Sequence, residues 1–446
     1  MIASPPIWSE YKIRTYPSLG STAVEADVAI IGAGFTGLSV AYHLLKMDPK
    51  KTVIVLEADK LGAGASGHTT GMLGPGVGRN LSGLVNRYGA QTAKALYQAT
   101  IDAVNNVRSL ITNEEIDCEL QMSGQIVVAR SAAGRRRLKT QADLMKRLDL
   151  PYELLDEKEL DRVIRMIPAA GKDDDGPVAL RLTNAGILHP IRLLAGLAAC
   201  VTRIGGQIFE GARVLRLTTL KPNAPVQLQL HNGATVVADR VVIATAGYTP
   251  SLGVLRGRIL PVHLQVVATE PLDAQTLRAI GWQGREGIVD SRRIFNYFRL
   301  TNDNRIVFGG GMPRYHWGGS TEHNSATTER CFDSLASELH RTFPAVSQLR
   351  IARAWSGLIG YVADALPAIH LSDAKGAVSH LVGWSGHGVA LAVASGAWIS
   401  SLVHNEQARE RLPWFREKPP LVPFELVRYL GFRSTVKVMS LLDALA

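Results

Sequence analysis

Cysteine is scarce in this chain: three residues in 446, Cys118, Cys200 and Cys331, far apart and in no C-x-x-C spacing. Neither a disulfide framework nor a zinc or iron–sulfur site is indicated, and a reducing cytoplasm is the expected compartment. Long apolar runs are missing too. No segment approaches the roughly twenty uninterrupted apolar residues of a membrane span, and Met1-Ile-Ala-Ser-Pro-Pro-Ile-Trp-Ser-Glu10 lacks the basic region and apolar core of an export signal. Internal repeats and low-complexity tracts are absent. Net charge is +10, yet the basic residues are scattered, with local excess only at Arg135-Arg-Arg137 and in the C-terminal tail. Without a stripe of interleaved basic and aromatic residues, nucleic-acid binding is not expected; the charge leaves room for an acidic partner or an anionic surface.

What is present is an ordinary globular composition, 46% apolar and 20% charged, long enough for about two or three domains of core. Its most informative stretch is Asp27-Val-Ala-Ile-Ile-Gly32-Ala-Gly34-Phe-Thr-Gly37, followed by Val53-Ile-Val-Leu-Glu57-Ala58. The apolar run 28–31 reads as a buried parallel strand, and the glycines turn it into the helical pattern 38–45. Gly32 permits a tight turn, Gly34 leaves room for a pyrophosphate, and Gly37 lets helix and strand pack closely while the helix amides face the phosphates. Glu57, about twenty residues beyond Gly37, ends the next strand where a carboxylate accepts hydrogen bonds from ribose hydroxyls and repels a 2'-phosphate. The order of strand, glycines, helix, strand and acid predicts a dinucleotide site of the Rossmann kind.

Along the rest of the chain, nucleotide-side segments alternate with insertions. A glycine-rich loop, 61–79, precedes a long amphipathic helix over 83–111, a strand over 124–130 and an exposed helix over 135–148. A helix over 191–204 ends at Gly205-Gly206, and 214–218, 226–230 and 235–238 read as a β-meander with its turn at Asn232-Gly233. The strand 240–245 follows. A second insertion, about 256–350, carries strands at 264–269, 294–300 and 305–311 and a helix through 335–341, a pattern suited to an antiparallel sheet. Trp384-Ser-Gly386-His387-Gly388 then opens an apolar helix over 389–403, a second helix N-terminus available to a ligand.

Together these residues resemble the D-amino-acid oxidase or glycine oxidase group of FAD-dependent oxidoreductases, nearest to its gamma-glutamylputrescine oxidase-like members. The parts, in shared order, are the dinucleotide fingerprint, Gly62-Ala-Gly-Ala-Ser-Gly67, Val241-Val-Ile-Ala-Thr245, Leu255 to His263 followed by Ala268-Thr-Glu-Pro271, Arg305-Ile-Val-Phe-Gly-Gly310, Trp355-Ser-Gly357 and Gly383-Trp-Ser-Gly-His-Gly388. The resemblance implies an α/β fold with a discontinuous Rossmann-like FAD domain over 24–83, 184–255 and 351–410. It implies an inserted antiparallel-sheet substrate domain, as in glycine and sarcosine oxidases, over 84–183 and 256–350; 411–446 forms a C-terminal tail. It places FAD beside Gly32, Gly34, Phe35, Thr36, Gly37, Glu57 and Ala58, with Val214, Thr245, Ala246, Gly357 and Gly383 along its length. Ser66, Gly67, His68 and Thr69 would lie against one edge of the isoalloxazine, and Gly386, His387, Gly388 and Val389 beside the pyrimidine ring. There a helix N-terminus stabilises the anionic reduced flavin by roughly 0.3–2 kcal/mol. His68 stands near the histidine that dimethylglycine oxidase and sarcosine dehydrogenase relatives bond to the flavin 8α-methyl; noncovalent packing is the other reading. No cysteine near Tyr361 matches the attachment point of monomeric sarcosine oxidases.

The implied reaction is oxidation of a C–N bond: a neutral amine gives hydride to flavin N5 and the imine hydrolyses, with oxygen the expected acceptor. Two departures bear on it. Amino-acid oxidases of the group carry a carboxylate-gripping arginine where this chain has Ile359, which puts a free α-amino acid in doubt; Arg292, Arg293 and Arg299 are the other candidates for a carboxylate contact. Relatives that activate oxygen with a lysine carry it where Val307 stands, so a dehydrogenase passing electrons to a quinone or carrier is a rival, as is a silent FAD-binding assembly protein. Tyr248, His263, Tyr297, Trp355, Tyr361 and His387 are candidate pocket walls, with no catalytic base assigned and no metal expected. From Pro420 the tail could cap the FAD domain or form a basic amphipathic helix on a membrane surface or against an electron acceptor. Nothing in the sequence fixes an oligomeric state.

Overall fold

The computed structural model describes residues 1–20, 23–166, 177–219, 224–322, 325–371, 377–404 and 412–445. Its first sheet is built around Val24–Ile31, whose last four residues are buried and which hydrogen-bonds in parallel to Val53–Leu56 on one side and Thr235–Ile243 on the other. Ile30 faces Val55 and Val242 in that register. Gln207–Phe209 extends the sheet beyond Val53–Leu56, and Val378–Val382 and Ala368–His370 extend it beyond Thr235–Ile243. Such unbroken Val and Ile runs are what a strand covered on both faces needs.

Phe35–Met47 packs on this sheet against Val53–Leu56, and Gly388–His404 packs on Phe35–Met47. They approach closely because Gly396 has no side chain: a Cβ there would collide with the Ser39 carbonyl, and Ser39 Oγ instead donates to the Val393 carbonyl at 2.5 Å. The meander Val214–Thr219, Val226–Leu230 and Thr235–Ile243 hangs from the same sheet. The sequence suggested two strands, 235–238 and 240–245. One strand runs through both, since the polar Asp239-Arg240 pair interrupts the hydrophobic pattern without breaking the ladder from Ala26↔Ala238 to Ile31↔Ile243.

The second sheet runs in the order Ile351–Tyr361, Leu260–Thr269, Ile306–Tyr315, Tyr297–Leu300, Gly287–Asp290, Gln125–Val128, Ala179–Leu182, Glu153–Leu155. Both inserted segments thus contribute strands. The sheet is antiparallel except where Gly287–Asp290 pairs in parallel with Gln125–Val128. Gly287–Asp290 had no signal in the sequence, since four residues are too few to show a period. Ile351–Tyr361, grouped by sequence with the nucleotide segments, pairs along its length with Leu260–Thr269, as in Val262↔Ile359 and Val266↔Trp355. An aromatic core holds this half: Phe298 stacks on Phe308 with ring centres 5.0 Å apart, and Trp282 and Phe343 close round them.

The helix expected over 83–111 is Leu81–Asn113, kinked at Gly89, whose φ of 80° only glycine adopts readily. Ala65–His68 forms a short helical turn inside the glycine-rich loop, and Glu425–Ala444 is a terminal helix lying against the Ile306–Tyr315 strand. None of the described helices is long and apolar enough to cross a membrane.

Candidate active site

At the carboxyl ends of the first sheet's parallel strands the chain turns sharply. Gly32 has φ +102°, and a Cβ there would stand 2.8 Å from the Ala244 carbonyl oxygen; one at Gly37 would collide with the Gly32 carbonyl. Helix and strand therefore pack as the spacing predicts. Gly34 is the N-cap of the Phe35–Met47 helix, which has no side-chain cap. Its first amides are left for a ligand, apart from Phe35 N, which donates to Ser66 Oγ at 3.0 Å. Glu57 ends its strand with both oxygens engaged: Oε2 accepts from Ala33 N at 3.0 Å and Oε1 from Asp59 N at 3.2 Å. Burial pushes its carboxyl above the ordinary range, against the pull of those amides.

From this corner a cavity of about 440 Å³ runs to the second sheet. The N-termini of the Phe35–Met47 and Gly388–His404 helices open into it, and they are tied together where Trp384 Nε1 donates to Thr36 Oγ1 at 3.0 Å. The turn before the second helix is left-handed at Gly383 (φ +82°), Ser385 (+48°) and Gly386 (+94°). Ser385, the one residue of the three with a Cβ, is held by its amide to the Gly360 carbonyl and by its hydroxyl to Val362 N, each at 3.2 Å. Among the described residues the second sheet gives the cavity Ile359 and Gly360.

The loop between these walls is clamped through its own carbonyls. Trp355 Nε1 donates to His68 O at 2.9 Å and Trp8 Nε1 to Thr69 O at 2.8 Å. Arg299 Nη1 reaches Thr70 O and Gly71 O, each at 3.4 Å, and also Leu188 O, while its guanidinium lies 5.4 Å from the Trp8 ring centre. Burial brings Arg299 down to about 10, so it is a cation at neutral pH, bonded to main chain.

Most of the residues expected at the cofactor line this one cavity. From the fingerprint they are Gly32, Gly34, Phe35 and Thr36 with Glu57 and Ala58; from the loop, Ser66 and Thr69. From the later segments they are Val214, Thr245, Ala246, Gly386, Gly388 and Val389. Gly37, Gly67, Gly357 and Gly383 stand behind the wall, where a Cβ would press on Gly32 O, Gly62 O, His68 Cβ and Val362 Cγ2 in turn. His68 and His387 are outside the lining. His68 Nδ1 donates to Gly64 O at 2.9 Å, and His387 packs against Gly76, its imidazole kept neutral by burial.

The six pocket-wall candidates do not converge. Tyr248 lines the cavity, but near Glu57, Asp59 and Arg213, at the fingerprint end. Buried His263 has Nε2 3.2 Å from Ser320 O and its ring edge-on to His316. Tyr297 is pushed up to about 12 by burial over Gly309, whose missing Cβ makes room for the ring. Trp355 is spent on the loop, and Tyr361 stands edge-on to Phe432. The three arginines are engaged as well: Arg292 with Asp290 and Glu338, Arg293 with Asp443, Arg299 as above. Sequence reasoning missed Arg213, Leu215 and Thr321 as lining residues. The first two flank Val214 and could have been inferred from it; Thr321 carries no signal in its surroundings.

The donor set fits FAD. Glycines let a pyrophosphate approach the main chain, two helix N-termini supply amides, and an oriented carboxylate waits at the ribose distance in sequence. A Cβ at Gly64 or Gly386, both on the lining, would meet no protein atom within 4 Å, so the space beside them is open to a ligand.

Residues 27–402 match the family model described as DAO, FAD dependent oxidoreductase. Gamma-glutamylputrescine oxidoreductase of Escherichia coli (strain K12) is 28% identical over 393 residues, 87% of this chain and 85% of that protein. Sarcosine oxidase subunit beta of Rhodobacter capsulatus is 22% identical over 84% of each. Among solved structures, glycine oxidase from Geobacillus kaustophilus superimposes with a TM-score of 0.67 at 21% identity, covering 85% of this chain and 95% of that one.

Proposed function

Because the chain belongs to the family of FAD-dependent oxidoreductases, we propose that it oxidises a C–N bond of an amine or amino-acid derivative to an imine, which water then hydrolyses. FAD, when bound, supplies the hydride acceptor at N5, with oxygen the expected terminal oxidant. The observation that carries the reading is the Trp384–Thr36 hydrogen bond, which fixes two helix N-termini on one cavity that Ile359 and Gly360 also line.

The residues at hand have three tasks. Gly34 and the amides of Thr36 and Gly37 would hold the pyrophosphate, Glu57 would take the ribose hydroxyls, and the Gly388–His404 N-terminus would face the pyrimidine edge. The apolar wall at Ile359 and Val389 excludes water and lowers the pKa of a bound ammonium, favouring the neutral amine whose lone pair pushes on the breaking C–H bond. Specificity follows from what Ile359 is not. With Arg292, Arg293 and Arg299 all engaged elsewhere, no arginine among these stands ready for an α-carboxylate. The preferred substrate is therefore an amine whose reacting carbon carries no carboxylate, as at the putrescine nitrogens of the compound for which one relative is named. FAD is held without a bond to His68, which is off the lining.

A second reading, a dehydrogenase serving a quinone or carrier, is favoured by Val307, fully buried and apolar. One experiment separates these. The visible spectrum of the purified flavoprotein is followed anaerobically while secondary amines, polyamines and γ-glutamyl polyamines are added, and air is then readmitted. Bleaching by amines and rapid return of colour in air is the expected result; slow return selects the dehydrogenase, and no bleaching by any amine overturns the assignment. Acid precipitation of the same sample should leave the yellow colour in the supernatant.

A further inference from the structure

We propose that the outward face of the Glu425–Ala444 helix docks this protein on an anionic lipid surface. The helix turns Tyr429, Phe432 and Val436 toward the body, where Tyr315 and Tyr361 receive Phe432. On the opposite side Val427, Leu430, Val438, Leu441 and Leu445 recur at intervals of three, eight, three and four, one stripe on a 3.6-residue period. Each is at least half exposed. A helix of 20 residues carries this stripe for about 30 Å, the length of an interfacial anchor lying in the plane of a membrane. Beside its first half Trp317, 57% exposed, stands edge-on to Tyr429 and offers the indole that lipid interfaces favour.

Charge selects the occupant. Both acids of the helix are turned to the body: Glu425 takes Arg428, Tyr315 and Gly318 N, and Asp443 takes Ile294 N and Arg293. The exposed cations Arg433 and Lys437 border the stripe near its middle, and neither has an acidic partner among the described residues. A second copy packed on this face by two-fold symmetry would bring both pairs of cations together at the axis, with no acid to answer them. An anionic headgroup layer answers them directly, at roughly fivefold in affinity per basic residue.

The test is cosedimentation of the full-length flavoprotein with vesicles of phosphatidylcholine alone or mixed with phosphatidylglycerol. Binding to the mixed vesicles, weakened by salt and absent from the neutral ones, is expected. Leu441→Glu and, at the other end of the stripe, Val427→Glu should each abolish it. Arg433→Glu with Lys437→Glu should weaken it at least 25-fold with the flavin spectrum unchanged. No binding to either vesicle overturns the proposal. So does a wild-type dimer, seen by light scattering, that Leu441→Glu converts to monomer, because the stripe would then be covered by a second copy.

Discussion

At the Glu57 end of the cavity the wall is main chain; at the Ile359 end it is side chain. Around Glu57 the shape comes from positive φ angles, absent Cβ atoms and uncapped amides, and one carboxylate is added. Around Ile359 the second sheet offers an apolar side chain, while the arginines, tyrosines and histidines nearby are held in ion pairs, ring contacts and carbonyl clamps. The cofactor end is thus a backbone site, which tolerates little substitution. The second-sheet wall, proposed to meet the substrate, would change its ligand by changing a residue.

Four predictions would break or sharpen that contrast. Gly37→Val drives two methyl groups toward the Gly32 carbonyl; it should cost about 3 kcal/mol or more and abolish FAD retention, whereas Ile359→Val should cost about 0.5–1.5 kcal/mol and leave the protein yellow. Flavin content after gel filtration compares the two, and equal losses would end the distinction. Glu57→Ala strips Ala33 N and Asp59 N of their acceptor and should weaken FAD binding by about 1–3 kcal/mol; titration of the apoprotein reads it.

The third concerns pH. Burial, with Arg192 and Arg299 beside it, lowers His189 to about 4 from 6.5, and its Nδ1 accepts from Arg192 N as the N-cap of the Pro190–Arg203 helix. A depressed histidine contributes stability that is complete above about 6.5 and is lost as pH falls toward 4. Thermal midpoints should drop across that window, and less so in His189→Asn, which can still cap the helix without taking a proton. His380, also lowered to about 4, keeps part of the drop in place. The smallest effect is Trp8→Phe. It keeps the ring but loses the hydrogen bond to Thr69 O, about 1 kcal/mol, read as faster FAD release at little change in melting.

Legibility follows the same division. The fingerprint could be read because its physics is local: a φ of +102° at Gly32, an acid one strand later and a helix start are written in consecutive residues. Ser66 and Thr69 of the clamped loop line the cavity, yet its clamps were invisible, since Trp8, Arg299 and Trp355 come from three distant segments. Aromatic residues chosen as pocket walls scattered for that reason. A tyrosine in sequence gives no sign whether it lines a cavity, as Tyr248 does at the fingerprint end, or meets Phe432, as Tyr361 does. Thr321 lay beyond any local pattern.

The first residues of the chain are fastened to some of the last to be synthesised before the second helix: Ser4 exchanges hydrogen bonds with Ala354, and the Met1 ammonium meets Asp333 at 2.8 Å. Ser4 and Ala354 thus close a loop 350 residues long, a contact of high sequence separation that folding reaches late.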